Sequence, residues 1–238
     1  MPDPAPTPPR APLTASERRT VAAVLRMYRE GWFPMRRESG RGVEWVQPEH
    51  RAIIPLDDRF HVPRSLAQRL RSGRFVFTTD RAFGEVIRAC AQPASGREDT
   101  WLDPSIIEAF DLLHKAGHAH SIEAWRVPPG VTTSRPRSAT GLHTDHLPAG
   151  AVLVGGLYGL ALGSVFCGES MFSRPALGGT DASKACLVAL VHHLRARGFT
   201  LLDAQLANDH LAQFGQFEMP RESYLTHLAA HAENSVTW

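Results

Sequence analysis

Lysine is almost missing: Lys115 and Lys184 are the only two, and every other side-chain cation outside the histidines is arginine. Cysteine is nearly as scarce. Cys90, Cys167 and Cys186 are odd in number and far apart, with no C-x-x-C pair. That excludes a disulfide framework and a thiolate zinc site, and it fits a reducing cytoplasm. No long apolar run survives uninterrupted. The stretch 149–167 is broken by Gly150, Gly155, Gly156, Gly159 and Gly163, so no membrane span is expected. The start, Met1-Pro2-Asp3-Pro4, lacks the basic and apolar stretches of a secretory signal. Neither a G-x-S-x-G elbow nor a Walker loop is present.

What remains is an ordinary globular composition. Hydrophobic residues make up 43% and charged residues 21% of 238 positions, enough for a sizeable core and too apolar for a disordered chain. The charge is unevenly spread. Residues 1–100 hold 17 Arg against 12 acids, and residues 101–238 hold 9 basic residues against 12 acids. Arginine suits bidentate contact with phosphate, so the first half is a candidate surface for nucleic acid. Solvated surface charge is the simpler account of the same bias.

Periodicity divides the chain. Residues 1–16 read as a disordered tail, with Thr14 or Ser16 as a cap for a helix over 17–30. An aromatic extended segment follows at Trp32–Met35, then a charged loop, a short strand near Ala52–Pro55 and a helix over 63–72. These make a small N-terminal α/β domain, residues 17–73. From residue 74 the pattern predicts strands at 75–79, 119–125, 151–158, 160–170 and 200–205, with a last one near 215–218. Helices are predicted at 82–90, 104–116, 182–197, 209–214 and 221–231. Residues 127–149 carry no hydrophobic period and read as an insertion. The expectation is an α+β protein whose second domain, 74–238, is a mixed sheet with flanking helices.

Three stretches carry chemistry. In Gly168-Glu169-Ser170-Met171-Phe172-Ser173, strand alternation would place Glu169 and Met171 on one face, and Ser170 and Phe172 on the other. Glu169 either grips a cationic amine or is an edge carboxylate in water. In Leu201-Leu202-Asp203-Ala204-Gln205, Asp203 and Gln205 share one side of one strand. An Asp behind two leucines needs partners, and a bond to the Gln205 amide would orient and polarise it; capping by backbone N–H groups is the alternative. The loop Arg174–Thr180 leads into a helix N-terminus and is similar to a pyrophosphate loop. His143 and His146 lack a third metal ligand, so no metal is expected.

Taken in order, Gly155-Gly-Leu-Tyr-Gly159, Gly168–Ser173, Ala182-Ser-Lys184 and Leu202-Asp-Ala-Gln205 resemble the bacterial leucyl/phenylalanyl-tRNA–protein transferases. So do Tyr28-Arg-Glu-Gly-Trp-Phe-Pro-Met35, Pro48-x-x-Arg51-Ala52, Thr100-Trp-Leu102 and Leu113–Trp125. The resemblance implies a catalytic domain like the N-acetyltransferases (GNAT-like). It implies transfer of Leu, Phe or Met from aminoacyl-tRNA to a protein beginning with Arg or Lys, marking it for degradation. The same likeness implies no cofactor, and a monomer is expected. It further implies that Asp203, Gln205 and Glu169 are catalytic, and that Leu157, Met171, Leu187, Leu190 and Leu194 form the pocket for the donated side chain. The tRNA 3′ end would meet Trp45, Trp101, Gly168 and Ser170.

This chain departs from that pattern in places. Glu44-Trp45 stands where the family has two tryptophans, Ala204 replaces a cysteine, and the loop at 174–181 is longer. An acetyl-CoA-dependent N-acetyltransferase is the competing reading. A non-catalytic RNA-binding module would explain the arginines but not Glu169, Asp203 and Gln205 together.

Overall fold

The computed structural model describes residues 12–37, 42–93, 102–128, 142 and 147–238. In chain order the elements are α1 (Ala15–Arg29), β1 (Phe33–Arg36), β2 (Val43–Val46), β3 (His50–Ile54), α2 (Arg64–Arg71), β4 (Phe75–Thr79), α3 (Phe83–Cys90) and α4 (Pro104–Lys115). Then come β5 (Ala119–Arg126), β6 (Val152–Leu162), β7 (Val165–Ser173), α5 (Ala182–Arg197), β8 (Leu201–Gln205), α6 (Asp209–Ala212), β9 (Phe217–Pro220) and α7 (Arg221–His231). Most of the expected insertion, the start of the expected tail, Trp101, His143 and His146 lie outside the described residues.

The first helix begins earlier than the expected tail would allow. Thr14 accepts a bond from the Glu17 N–H and Glu17 answers to the Thr14 N–H, a reciprocal cap that fixes the start at Ala15. Its apolar stripe, Val21, Val24, Leu25 and Tyr28, is buried. The aromatic segment after it is not a lone extended piece. It is β1, paired antiparallel with β2 so that Pro34 stands opposite Trp45.

Seven strands form one mixed sheet in the order β4-β5-β6-β7-β8-β3-β9. Every pairing is antiparallel except β7 with β8, which α5 connects. One face is covered by α1, α3, α4 and α7, the other by α2 and α5 with Phe214. Strand β3 comes from the segment expected to form a separate first domain, yet it lies between β8 and β9. The side chains of α1 share their core with Tyr158, Leu160 and Cys167 of the large sheet.

One turn falls where the sequence did not suggest it. The hairpin between β6 and β7 turns at Gly163 and Ser164, with Gly163 at φ +57°, so β6 runs straight through Gly159. Gly159 is there for space, not for a turn. A Cβ on it would collide with the Cys167 carbonyl and the Phe166 ring. Gly155 likewise lets Ala182 at the start of α5 press onto the sheet.

Candidate active site

The pairing of β7 with β8 is short. It covers Val165–Cys167 against Leu201–Asp203, after which β7 runs on to Ser173 without this neighbour. The two parallel strands therefore part, and a cavity of about 230 Å³ opens between them. Its walls include Leu157 and Tyr158 of β6, Gly168–Met171 of β7, Leu202–Ala204 of β8, and Leu187 and Leu190 of α5. Ile54 of β3 and Leu211 of α6 close it from the far side.

Strand β7 carries a bulge at this point. Gly159 pairs with Gly168 and Tyr158 with Ser170, which leaves Glu169 as an extra residue without an opposite number. A bulge reverses the alternation beyond it. Hence Cys167 and Phe172, five residues apart, share one core, while Phe166 and Met171 share the other. The expectation that Glu169 and Met171 face the same way fails for this reason. Met171 packs on the α5 side, and Glu169 turns to the α1 side, where the Tyr28 hydroxyl donates to its Oε1 at 2.8 Å.

Glu169 is partly exposed as a residue, but its second oxygen, Oε2, is enclosed. Burial pushes its carboxyl pKa up to about 7; bonds from Tyr28 and Gln205 pull the other way. The Tyr158 hydroxyl is buried without a hydrogen-bond partner. Tyr158 feels the Glu169 charge, which together with burial raises its own pKa. Glu169 and Tyr158 bring polar groups to the wall of an otherwise apolar cavity, the combination expected of a ligand site.

Asp203 sits differently from the expectation. It is fully buried and bonds the backbone N–H of Gln205 at 2.7 Å, not the side-chain amide. That bond holds Gln205 in a left-handed conformation, φ +65°, which costs a non-glycine residue about 1–3 kcal/mol. The remaining partners come from elements far away. Arg51 of β3 reaches both carboxylate oxygens through Nε at 3.1 Å and Oδ2 through Nη2 at 2.8 Å. Tyr224 of α7 donates to Oδ2 at 2.7 Å. Arg51 is itself only 2% exposed, bonded to the Gly31 carbonyl and held between the rings of Phe33 and Tyr224. Sequence reasoning missed Arg51, Tyr224 and Tyr28 as site residues. The one available signal was a charged residue opening an apolar strand, Arg51-Ala52-Ile53-Ile54.

The other expected residues divide plainly. Leu157, Met171, Leu187 and Leu190 line the cavity, with Gly168 and Ser170. Leu194 does not: it is 0% exposed within the core. Helix α5 returns antiparallel to β7, so its first half meets the open part of the strands and its last turns meet the closed part. Trp45 is half-buried beside the site, its ring edge-on to Tyr28 at 6.3 Å. The loop after β7 is not a free anion cradle. Its Leu177 and Gly179 N–H groups bond the Arg174 carbonyl, and Ser173 Oγ takes the Ser183 N–H. The Asp181 carboxylate also stands there, paired with Arg69 and Lys184. Among the described residues, no helix is long and apolar enough to cross a membrane.

Comparison with known proteins places this geometry. A family model described as leucyl/phenylalanyl-tRNA protein transferase matches residues 53–129 and 143–229. Two curated relatives carry the name leucyl/phenylalanyl-tRNA–protein transferase. The one from Rhizorhabdus wittichii is 46% identical over 85% of this chain and 71% of its own length. That from Paramagnetospirillum magneticum is 44% identical over 88% of each.

Proposed function

Since the chain belongs to the leucyl/phenylalanyl-tRNA–protein transferases, and is thus an aminoacyltransferase, we propose that it moves Leu, Phe or Met from its tRNA to proteins whose first residue is Arg or Lys. In this reading the product is a degradation signal made in the cytoplasm, and the enzyme works as a monomer without a cofactor. The observation that carries the reading is the cavity between β7 and β8, apolar along α5 and with Glu169 in its wall.

An aminoacyl ester is already activated, so the protein needs chiefly to position it and to manage charge. The donated side chain enters between Leu157, Met171, Leu187 and Leu190. The terminal adenosine stacks near Trp45, a task that suits an indole, and the Gly168–Ser170 backbone lies along the ester. Trp101 joins the adenosine on the strength of family position alone. Glu169 meets the acceptor amine, and Asp203 keeps Gln205 beside it.

The parting of two parallel strands around a cavity also supports an N-acetyltransferase-like reading of this sheet. It does not favour acetyl-CoA as donor. The Leu177 and Gly179 amides and the Ser183 N–H, which could meet a pyrophosphate, are engaged within the loop. The test is direct. Purified protein is incubated with labelled Leu-tRNA and a peptide beginning with Arg, then with labelled acetyl-CoA and the same peptide. Label is expected on the peptide from the tRNA alone. Transfer from acetyl-CoA, or none from the tRNA, overturns the proposal.

A further inference from the structure

Residues 232–238 pass from one face of the sheet to the other. Ala232 belongs to the core on the α1 side, whereas Val236 and Trp238 pack against the core on the α5 side. Asn234 ties the crossing to the β6–β7 turn, its Nδ2 donating to Ser164 Oγ at 3.1 Å. The half-buried indole of Trp238 stacks on two rings of the sheet, His120 of β5 at 4.4 Å and Phe166 of β7 at 5.1 Å. Its Nε1 donates to Thr79 Oγ1 at 2.7 Å. Its neighbour on the helix is His193 of α5, with ring centroids 4.5 Å apart. His193 is 1% exposed and neither of its ring nitrogens has a hydrogen-bond partner, so ring packing alone places it there. None of these residues lines the donor cavity.

Helix α5 thus meets the sheet at two stops. At its start Ala182 presses onto Gly155, with no room for a side chain between them. Toward its end Trp238 bridges His193 to Phe166 and His120. Leu187 and Leu190, the residues of α5 that line the cavity, lie between the stops. At about 1.5 Å per residue, Leu187 stands about 8 Å, Leu190 about 12 Å and His193 about 16 Å along the axis from Ala182. A helix pivoting on Ala182 therefore gives Leu190 about seven-tenths of any displacement at His193, and Leu187 about half. Leu190 also shares a side of the helix with His193, three residues on. A second link runs through the strands. Phe166 stands opposite Leu202 in the β7–β8 pairing, and Leu202 lines the cavity.

We infer that Trp238 is a positioning residue for the donor: by propping the far half of α5 it sets the depth of the side-chain pocket, and with it the preference between Phe and Leu. This rests on the transferase reading and deepens it. Removal of the indole leaves a void that its surroundings fill only in part. The end of α5 settles toward the sheet, Leu190 advances into the cavity, and the larger donor side chain loses more room than the smaller. Free indole has the shape of the missing group, and apolar voids of this kind take up small aromatic molecules.

The experiment is competition between Leu-tRNA and Phe-tRNA for an Arg-initiated peptide, with wild type, Trp238→Ala and Trp238→Phe, each with and without free indole. Thermal melts accompany every sample. In Trp238→Ala the Phe-to-Leu ratio of kcat/KM should fall at least about threefold, a modest change of the size an apolar pocket can make. Indole should return that ratio toward the wild-type value. Trp238→Phe keeps a smaller ring and should shift the ratio in the same direction by less. If Trp238→Ala fails to fold, Trp238→Phe decides the matter. The inference is overturned if the ratio is unchanged, if both donors fall alike, or if indole leaves the ratio unrestored. Indole that raises the melting temperature but not the ratio would make Trp238 a purely structural residue. Absence of wild-type transfer from either tRNA would instead overturn the transferase reading, and this inference with it.

Discussion

Arg51 and Asp203 are 152 residues apart in sequence and 2.8 Å apart in the fold, with neither side chain more than 2% exposed. A pair so enclosed exacts a desolvation cost that its attraction only offsets when the geometry is good. Here the guanidinium is bidentate, and its other nitrogen bonds the Gly31 carbonyl.

Removing either partner alone strands a buried charge. Asp203→Ala and Arg51→Met should each lose about 3–5 kcal/mol of stability in urea denaturation. The double variant should lose much less than the sum, as the two residues share one interaction. Additive losses would mean that the pair is not coupled. Loss of transfer in Asp203→Ala must therefore be read beside its folding. Tyr224→Phe is the gentler probe, since it removes one bond to Asp203 and keeps the ring on Arg51, at about 1–2 kcal/mol.

The donor pocket should separate Leu190 from Leu194. Leu190→Trp fills the cavity, so transfer from Phe-tRNA should fall more than from Leu-tRNA. Leu194→Ala lies away from the cavity. It should cost about 2–5 kcal/mol of stability while the Phe-to-Leu ratio stays within about twofold. Competition between the two charged tRNAs measures this ratio, and a change in it for Leu194→Ala would extend the pocket deeper than the cavity described.

Glu169 should also leave a signature in stability. Its folded pKa, about 7, lies above the ordinary 4.5. The folded state therefore binds the proton more tightly than the unfolded one. The stability this provides is full below pH 4.5 and is lost as pH rises through about 7. Glu169→Gln, which carries no such proton, should gain on wild type by about 2 kcal/mol between pH 5 and 8.5. Thermal melts at both pH values would show it, and a constant gap would refute it.

Gly155→Ala should push α5 off the sheet, because the new methyl would meet Ala182. Overpacking of this kind costs about 1–3 kcal/mol. Leu187 and Leu190 would move with the helix, so KM for Leu-tRNA should rise along with the loss in melting temperature.

Much of the fold was legible because it obeys local rules. Helix α5 ends at Gly198 with φ +81°, and α4 begins with Asp103 capping Ser105 ahead of its apolar stripe. Strand β4 follows a run of aromatic and β-branched residues, Phe75–Thr79. The hairpin turn at Gly163 was illegible for the opposite reason: five glycines crowd residues 150–163, and only the fold distinguishes those that turn, Gly150 and Gly163, from those that make room. The facing of Glu169 required knowledge of a bulge, which leaves no period in the sequence. Arg51 and Tyr224 are recognisable as partners of Asp203 only in three dimensions, and the placement of Leu194 depends on where two strands separate.

The position of β3 has a kinetic side. Its residues, Ala52-Ile53-Ile54 among them, pair only with strands that end at Gln205 and Pro220. During synthesis this apolar segment waits for about 150 residues, which at about 5–20 residues per second is on the order of ten seconds. Until then it is an unpaired strand, open to another chain. Arg51 is likewise without Asp203, so no incomplete chain can own a working site. The enzyme is switched on only by the arrival of its last strands, and the same delay makes a nascent, half-made copy the form most exposed to aggregation.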